Sequence, residues 1–269
     1  MVLILLLMED GHRGNKKFMR FEDINKDWKI WYKDDNVDTR SIKRLNGHLP
    51  EMECSKQLAR IVSKIYLPGH KILDFGCAAG HYYNSLKKKV SKEIIYTGFD
   101  LTPRYIKFAK NFFKKEKNVN FDVQSLFSMS KKYYNMFDIS YCCNVFHHIP
   151  SIDVPLKNLL SATKKYCIIR TLVSDRTHLS KFYYNDKMNK KGELFNFVYQ
   201  NTYSFDLIIK KIKQVGNYSV KFLDDEFDGS KINAEFKKNK THFAVTKYLN
   251  NVQIAGSKVF EFKWILIKK

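Results

Sequence analysis

The chain has 269 residues, the size of one large domain, with 48 Lys plus Arg against 27 Asp plus Glu, a formal charge of +21. Its 44% hydrophobic and 15% aromatic content exclude intrinsic disorder, and 11 Gly with 5 Pro exclude collagen-like and low-complexity chains. The five cysteines (Cys54, Cys77, Cys142, Cys143 and Cys167) are odd in number and form no CxxC pair, which excludes a patterned disulfide scaffold and leaves no specific metal-ligand set.

The opening run MVLILLLM is too short for a membrane span and lacks the basic start and cleavage site of a signal peptide, so a cytoplasmic protein is expected, started at Met1 or Met8. Residues 9–50, with Trp28, Trp31 and Tyr32 close together, read as an extension and helical cap. After Pro50, the spacing of Leu58, Ile61, Val62 and Ile65 predicts a helix reaching toward Pro68-Gly69. From Lys71 the texture alternates: strands are expected at 71–75, 94–99, 119–123, 137–142 and 166–172, with helices at 80–90, 103–116 and 153–164. Such alternation predicts βαβ units and a mostly parallel sheet with helices on both faces.

The polar stretch 174–203 is long enough to be a lid or insertion. Ser204 then caps a helix carrying Leu207, Ile208 and Ile212 that stops at Gly216, and β-like runs follow at 218–223 and 259–267, with a hairpin within 241–255. No repeat or linker interrupts the chain, so one domain at 51–269 follows an extension at 1–50. The lysine runs at 87–89, 114–115, 131–132, 190–191, 210–211 and 237–238 are scattered. They fit solvated faces as well as a polyanionic partner.

The chemistry is concentrated at Ile72-Leu73-Asp74-Phe75-Gly76-Cys77-Ala78-Ala79-Gly80: a buried strand, an acid, a Gly-containing turn and a helix start with unpaired N–H groups. No GxGxxG occurs, which argues against a dinucleotide fold. Twenty residues beyond Gly80, Tyr96-Thr97-Gly98-Phe99-Asp100-Leu101 ends a second strand in a carboxylate able to accept ribose hydroxyls.

LDFGCAAG, YTGFD and the stretch Phe137-Asp138-Ile139-Ser140 to Asn144-Val145-Phe146-His147-His148-Ile149 together resemble the class I S-adenosylmethionine-dependent methyltransferases over roughly residues 55–269. The resemblance implies a Rossmann-like, mostly parallel seven-stranded α/β sheet with an antiparallel last strand. It further implies that the cofactor S-adenosylmethionine, leaving as S-adenosylhomocysteine, lies against Gly76, Cys77, Ala78 and Gly80. Asp74 would hold its ammonium group, Asp100 with Leu101 its ribose, Ser125 and Leu126 its adenine, and Asn144 its methionine end. Two departures stand out: Ala78 replaces the commoner Gly, so its backbone position should suit an L-residue, and Ser125 replaces Asp.

A hydroxyl acceptor needs a base titrating near neutrality. His148 and His147 are the first candidates, with His148 favoured. His178 and Asp175 come second, in a segment whose Arg170, Arg176 and Tyr183 could grip a polar or anionic substrate. The chain lacks [DN]PP[YF] and a Pro-Cys nucleophile, so Cys142 and Cys143 read as packed thiols. NVFHHIP resembles small-molecule methyltransferases of the ubiquinone-biosynthesis and sugar-modifying kinds, and the tail LNNVQIAGSKVFEFKWILIKK resembles those of surface-polysaccharide methyltransferases. These features lead to O-methylation of a small polar acceptor, a sugar or sugar nucleotide, with no metal and no membrane span. The alternatives are an RNA methyltransferase using the basic surface and a non-catalytic cofactor-fold binding protein.

Overall fold

In the computed structural model, which describes residues 35–183, 186–226, 246–249, 252–255 and 258–269, strands and helices alternate as the sequence pattern predicts. The apolar start, the Trp28–Tyr32 cluster and Lys237-Lys238 lie outside the described residues. The elements in chain order are α1 (Asp35–Leu45), α2 (Glu53–Ser63), β1 (Lys71–Phe75), α3 (His81–Lys89), β2 (Ile95–Asp100), α4 (Pro103–Phe112), β3 (Val119–Val123) and β4 (Phe137–Cys143). There follow α5 (Asp153–Ala162), β5 (Thr163–Ser174), β6 (Lys181–Tyr183), β7 (Phe197–Tyr199), β8 (Tyr203–Ser204), α6 (Phe205–Val215) and β9 (Ser219–Asp224). The last four strands are β10 (Thr246–Leu249), β11 (Val252–Ala255), β12 (Lys258–Phe260) and β13 (Phe262–Lys268).

The main sheet has the order β3-β2-β1-β4-β5-β13-β9, with β8 added at the end of β5. Strands β1 to β5 run parallel, and β13 is antiparallel to both β5 and β9. This is the expected Rossmann-like sheet of seven strands, extended by the two-residue β8. Because side chains alternate across a strand, each β-strand feeds two cores. Ile72, Tyr96, Ile139, Tyr141 and Trp264 pack under α2, α3 and α4 through Leu58, Val62, Tyr83, Leu86 and Ile106. On the other face Leu73, Phe75, Phe99, Phe137 and Ile265 meet Leu156, Leu159, Ile208 and Ile212 of α5 and α6. Each fully buried Leu, Ile or Phe among these contributes roughly 1.5–3 kcal/mol of transfer free energy.

Several boundaries differ from expectation. Helix α2 ends at Ser63, so Ile65 packs from the following turn, and α4 ends at Phe112 rather than 116. The β5 strand starts at Thr163, immediately after α5, three residues before the apolar run begins. Helix α6 is capped by Ser204, whose Oγ accepts from Leu207 N at 3.2 Å, worth about 1 kcal/mol. The 174–203 segment, expected as a lid or insertion, contains the antiparallel pair β6–β7 and ends at β8, and the tail forms a three-stranded ribbon, β10-β11-β12, containing the expected hairpin. Among the described residues, no helix is long and apolar enough to cross a membrane, and no group of three His, Cys, Asp or Glu could hold a metal ion.

The chain leaves β1 toward β2 on one side and reaches β4 on the other. A crevice therefore opens at the C-terminal ends of β1 and β4, where the strand order reverses.

Candidate active site

That crevice holds a cavity of about 390 Å³, walled by strand ends and capped by α1. One end is built almost wholly by backbone. After Phe75 the chain turns at Gly76 (φ 86°), where a Cβ would come within 2.4 Å of Val145, so only glycine fits. Gly76 N and Cys77 N both donate to Phe99 O, at 2.7 and 3.0 Å, which ties the turn to the end of β2.

Ala78, expected to occupy a backbone position suited to an L-residue, is instead left-handed (φ 47°). That conformation costs a non-glycine residue about 1–2 kcal/mol, and it is held by the Ala78 N–H donating to Asp100 Oδ2 at 2.9 Å. The other Asp100 oxygen accepts from Thr102 N at 2.8 Å. The carboxylate is thus held by two backbone donors where it lines the cavity. Leu101, Ser125, Leu126 and Phe127 complete this end. The 124–127 loop is pinned where buried Asn158 donates to Leu126 O at 2.7 Å, and Ser125 Oγ accepts from Phe127 N at 3.1 Å.

The rest of the wall is made of side chains from distant segments: Arg40 and Arg44 of α1, Met52, His81 and Tyr82 of α3, and Asn144, Val145 and His148 after β4. Arg44 Nε and His81 Nδ1 are buried with no hydrogen-bond partner among the described residues. Burial, then the Arg44 charge, pushes the His81 imidazole down to about 3, so it is neutral at ordinary pH. Burial and the neighbouring Arg40 also lower the Arg44 guanidinium. Two cations side by side, one with an unsatisfied buried donor, make this wall receptive to an anion.

His148 lies in a 3-10 turn spanning Phe146–His148. Its Nδ1 is 2.8 Å from Tyr199 O of β7, and a carbonyl only accepts, so Nδ1 carries the proton, and in the neutral ring Nε2 is then the nitrogen with the lone pair. The insertion grips the same turn through Asn201 N to His147 O (2.9 Å), Asn201 Nδ2 to Ile149 O (3.0 Å) and Tyr203 Oη to Phe146 O (2.9 Å).

Of the residues singled out in the sequence, Gly76, Ala78, Asp100, Leu101, Ser125, Leu126, Asn144 and His148 are brought together in the cavity wall. Asp74, Cys77, Gly80, His147 and His178 are not part of that wall. Strand alternation turns Asp74 sideways into the core beneath α3, one residue short of the strand end. There it accepts from Tyr96 Oη at 2.7 Å. Burial raises its carboxyl to about 7, against the opposing effect of hydrogen bonds from Tyr96 and Tyr141.

Cys77 and Gly80 shape the turn from behind, with the Cys77 thiol buried beside Gly98. The His147 ring is buried between His148 and Phe262, at centroid distances of 3.9 and 5.4 Å. His178, Asp175 and Arg176 are exposed on the insertion, and Tyr183 packs on Phe197. Arg170 does not reach toward an acceptor, because its guanidinium is committed to Asp225 and Asn144. Cys142 is buried in the sheet, and Cys143, equally buried, backs the cavity.

Sequence reasoning missed Arg40, Arg44, His81 and Tyr82. His81 and Tyr82 directly follow Gly80, so the helix start was the available signal. For Arg40 and Arg44 the signal was an i, i+4 pair on a helix beside apolar Leu45.

The wall's chemistry fits an adenosyl amino-acid ligand. A fixed carboxylate and an apolar slot lie at one end, and an unsatisfied guanidinium N–H suited to a carboxylate lies at the other.

Comparison with known proteins accords with that fit. Residues 67–239 match the family described as a methyltransferase domain. Over 109 residues the chain is 30% identical to the tRNA U34 carboxymethyltransferase of Helicobacter pylori (strain Shi470), covering 39% of this chain and 41% of that protein. It is also 30% identical over 109 residues to the ubiquinone biosynthesis O-methyltransferase of Coxiella burnetii (strain Dugway 5J108-111), covering 40% and 45%. The chain thus spans less than half the length of these curated relatives. Among solved structures it is similar to magnesium protoporphyrin IX methyltransferase of Synechocystis PCC 6803 with bound S-adenosylmethionine. The TM-score is 0.53 at 14% identity, over 90% of this chain and 97% of that one, which speaks for the fold.

Proposed function

Since this chain belongs to the methyltransferase domain family, and with it to the class I S-adenosylmethionine-dependent methyltransferases, we propose that it methylates a small polar acceptor seated beside His148. The observation that carries this reading is one cavity lined together by Asp100, by Arg44, whose Nε has no hydrogen-bond partner among the described residues, and by His148, whose Nδ1 meets the Tyr199 carbonyl. Asp100 would accept the ribose hydroxyls, with Gly76 and Ala78 close against the chain that carries the sulfur. Leu101, Leu126 and Phe127 would flank the adenine, with Ser125 beside it. Arg44 would receive the amino-acid carboxylate, while His81, kept neutral, adds no competing charge. When bound, the cofactor supplies an electrophilic methyl group on a positively charged sulfur.

The protein's contribution is position and proton handling. Tyr199 O fixes the His148 tautomer, so Nε2 takes the proton of an acceptor hydroxyl as the oxygen becomes nucleophilic. The 174–203 insertion, by gripping the 146–148 turn, holds that ring in place. The acceptor is a hydroxyl of a sugar or sugar nucleotide, which suits a base in a cavity that Arg40 also lines.

A second reading, an RNA acceptor, is favoured by the charge of +21 and by similarity to enzymes named for tRNA U34. Transfer of tritium from methyl-labelled S-adenosylmethionine separates the two. Label in sugar nucleotides supports the first reading, salt-sensitive label in bulk tRNA supports the second, and label in neither class of acceptor, with cofactor bound, overturns both.

A further inference from the structure

Resting on the cofactor reading above, we infer that Arg170 and Asp225 are positioning residues: a buried ion pair that fixes the Asn144 amide at the amino-acid end of the cofactor cavity.

Asn144 directly follows β4, is left-handed (φ 62°) and lines the cavity next to Val145, against which Gly76 is packed. Its Oδ1 accepts from Arg170 Nη1, and its Nδ2 donates to Tyr82 Oη at 3.2 Å. A guanidinium offers donors alone, so the amide can take only this orientation, oxygen toward Arg170 and NH₂ toward Tyr82. The other donors of Arg170, Nε and Nη2, reach the two oxygens of Asp225 at 2.8 and 2.5 Å. The guanidinium lies 3.8 Å over the Phe262 ring, and Trp264 Nε1 donates to Asp225 at 3.1 Å.

The two side chains are only 8% and 7% exposed. Removing both charges from water carries a desolvation cost that well-packed apolar residues would avoid, so fold stability alone gives little reason for the pair. What the pair supplies that Met and Leu could not is a rigid N–H aimed at Asn144 Oδ1. Asn144 and Tyr82 thereby present fixed polar groups beside Gly76, where the amino-acid tail would lie. The chain also connects the site to residues 224–226, which Gln57 clasps by donating to Asp224 O at 2.8 Å and accepting from Glu226 N at 3.0 Å.

The test is calorimetric titration with S-adenosylhomocysteine and with 5′-methylthioadenosine, which lacks the amino-acid tail. Asn144→Ala, the charge-free pair Arg170→Met/Asp225→Leu and the triple variant are compared with wild type. Asn144→Ala and the pair variant should each weaken S-adenosylhomocysteine about tenfold, the size of one hydrogen bond, and leave 5′-methylthioadenosine within about twofold. In the Asn144→Ala background the pair variant should add nothing, because the ion pair acts through that amide. Additive losses, equal losses for both ligands or no loss in the pair variant would overturn the inference. Arg170→Lys, which keeps the charge and loses the fork, should show the same selective loss and serves if the pair variant does not fold. If wild type binds neither ligand, it is the cofactor reading that fails.

Discussion

The two ends of the cavity are built by different means. The Gly76–Asp100 end is backbone geometry: a glycine that nothing larger can replace, a left-handed alanine and a carboxylate locked by two amides, all within 25 residues of chain. The rest of the wall is an assembly of side chains from α1, α3 and the turn after β4, whose His148 ring is held from outside the cavity by the Tyr199 carbonyl. The first kind of construction suits a ligand that stays the same, and the second can be altered one residue at a time without disturbing the sheet. The Gly76–Asp100 end should therefore lose cofactor affinity on removal of a single group, whereas in the side-chain wall His148 should separate rate from binding.

That contrast is sharpest at His148. His148→Ala should lower kcat by about 10²–10⁴-fold, the range for loss of a general base, while S-adenosylhomocysteine affinity stays within about threefold. A parallel loss of both would place the ring in cofactor binding instead. At the other end, Asp100→Ala removes the proposed ribose acceptor and releases the Ala78 and Thr102 amides, so calorimetry should show S-adenosylhomocysteine binding weakened by about 10²-fold or more.

Asp74 lies beneath the cofactor end rather than in it, so Asp74→Asn should leave that affinity nearly unchanged and alter pH dependence instead. Its carboxyl is raised to about 7 in the folded protein. The folded state thus holds a proton that unfolding releases, and the stability so gained is lost as pH rises from about 4 through 7. Denaturant midpoints should show the wild type falling relative to Asp74→Asn by roughly 2–4 kcal/mol between pH 4 and 8. A constant difference would show that the carboxyl is ionised throughout. The smallest effect is expected at Ala78, where Ala78→Gly relieves the left-handed strain and should stabilise by about 0.5–1 kcal/mol, read as a rise in Tm.

The same contrast explains what the sequence revealed. The strands at 71–75 and 119–123 are placed to the residue because their apolar runs are bounded by turn residues. The Gly76–Gly80 turn was legible because its parts are contiguous, although the side chains that crowd its glycines, Val145 and Phe121, come from far along the chain. Asp74 was misplaced because its motif position gives no information about which face of the strand it occupies. That is decided by the alternation that sends Phe75 to the cavity and Asp74 to the core. Ala78 was misread because its left-handed backbone is imposed by Asp100, 22 residues away.

Nothing local separates His147 from His148. The Tyr199 carbonyl, 51 residues onward, fixes the tautomer of one of them while Phe262 helps bury the other. Arg44 and Asp225 are invisible for the same reason, since their partners come from elements far apart in the chain.

The most direct test of the central claim, that this cavity is a socket for an adenosyl amino-acid cofactor, is titration of the wild-type chain with S-adenosylhomocysteine. The account predicts saturable one-to-one binding that competes with S-adenosylmethionine. A folded protein that takes up neither ligand would contradict it.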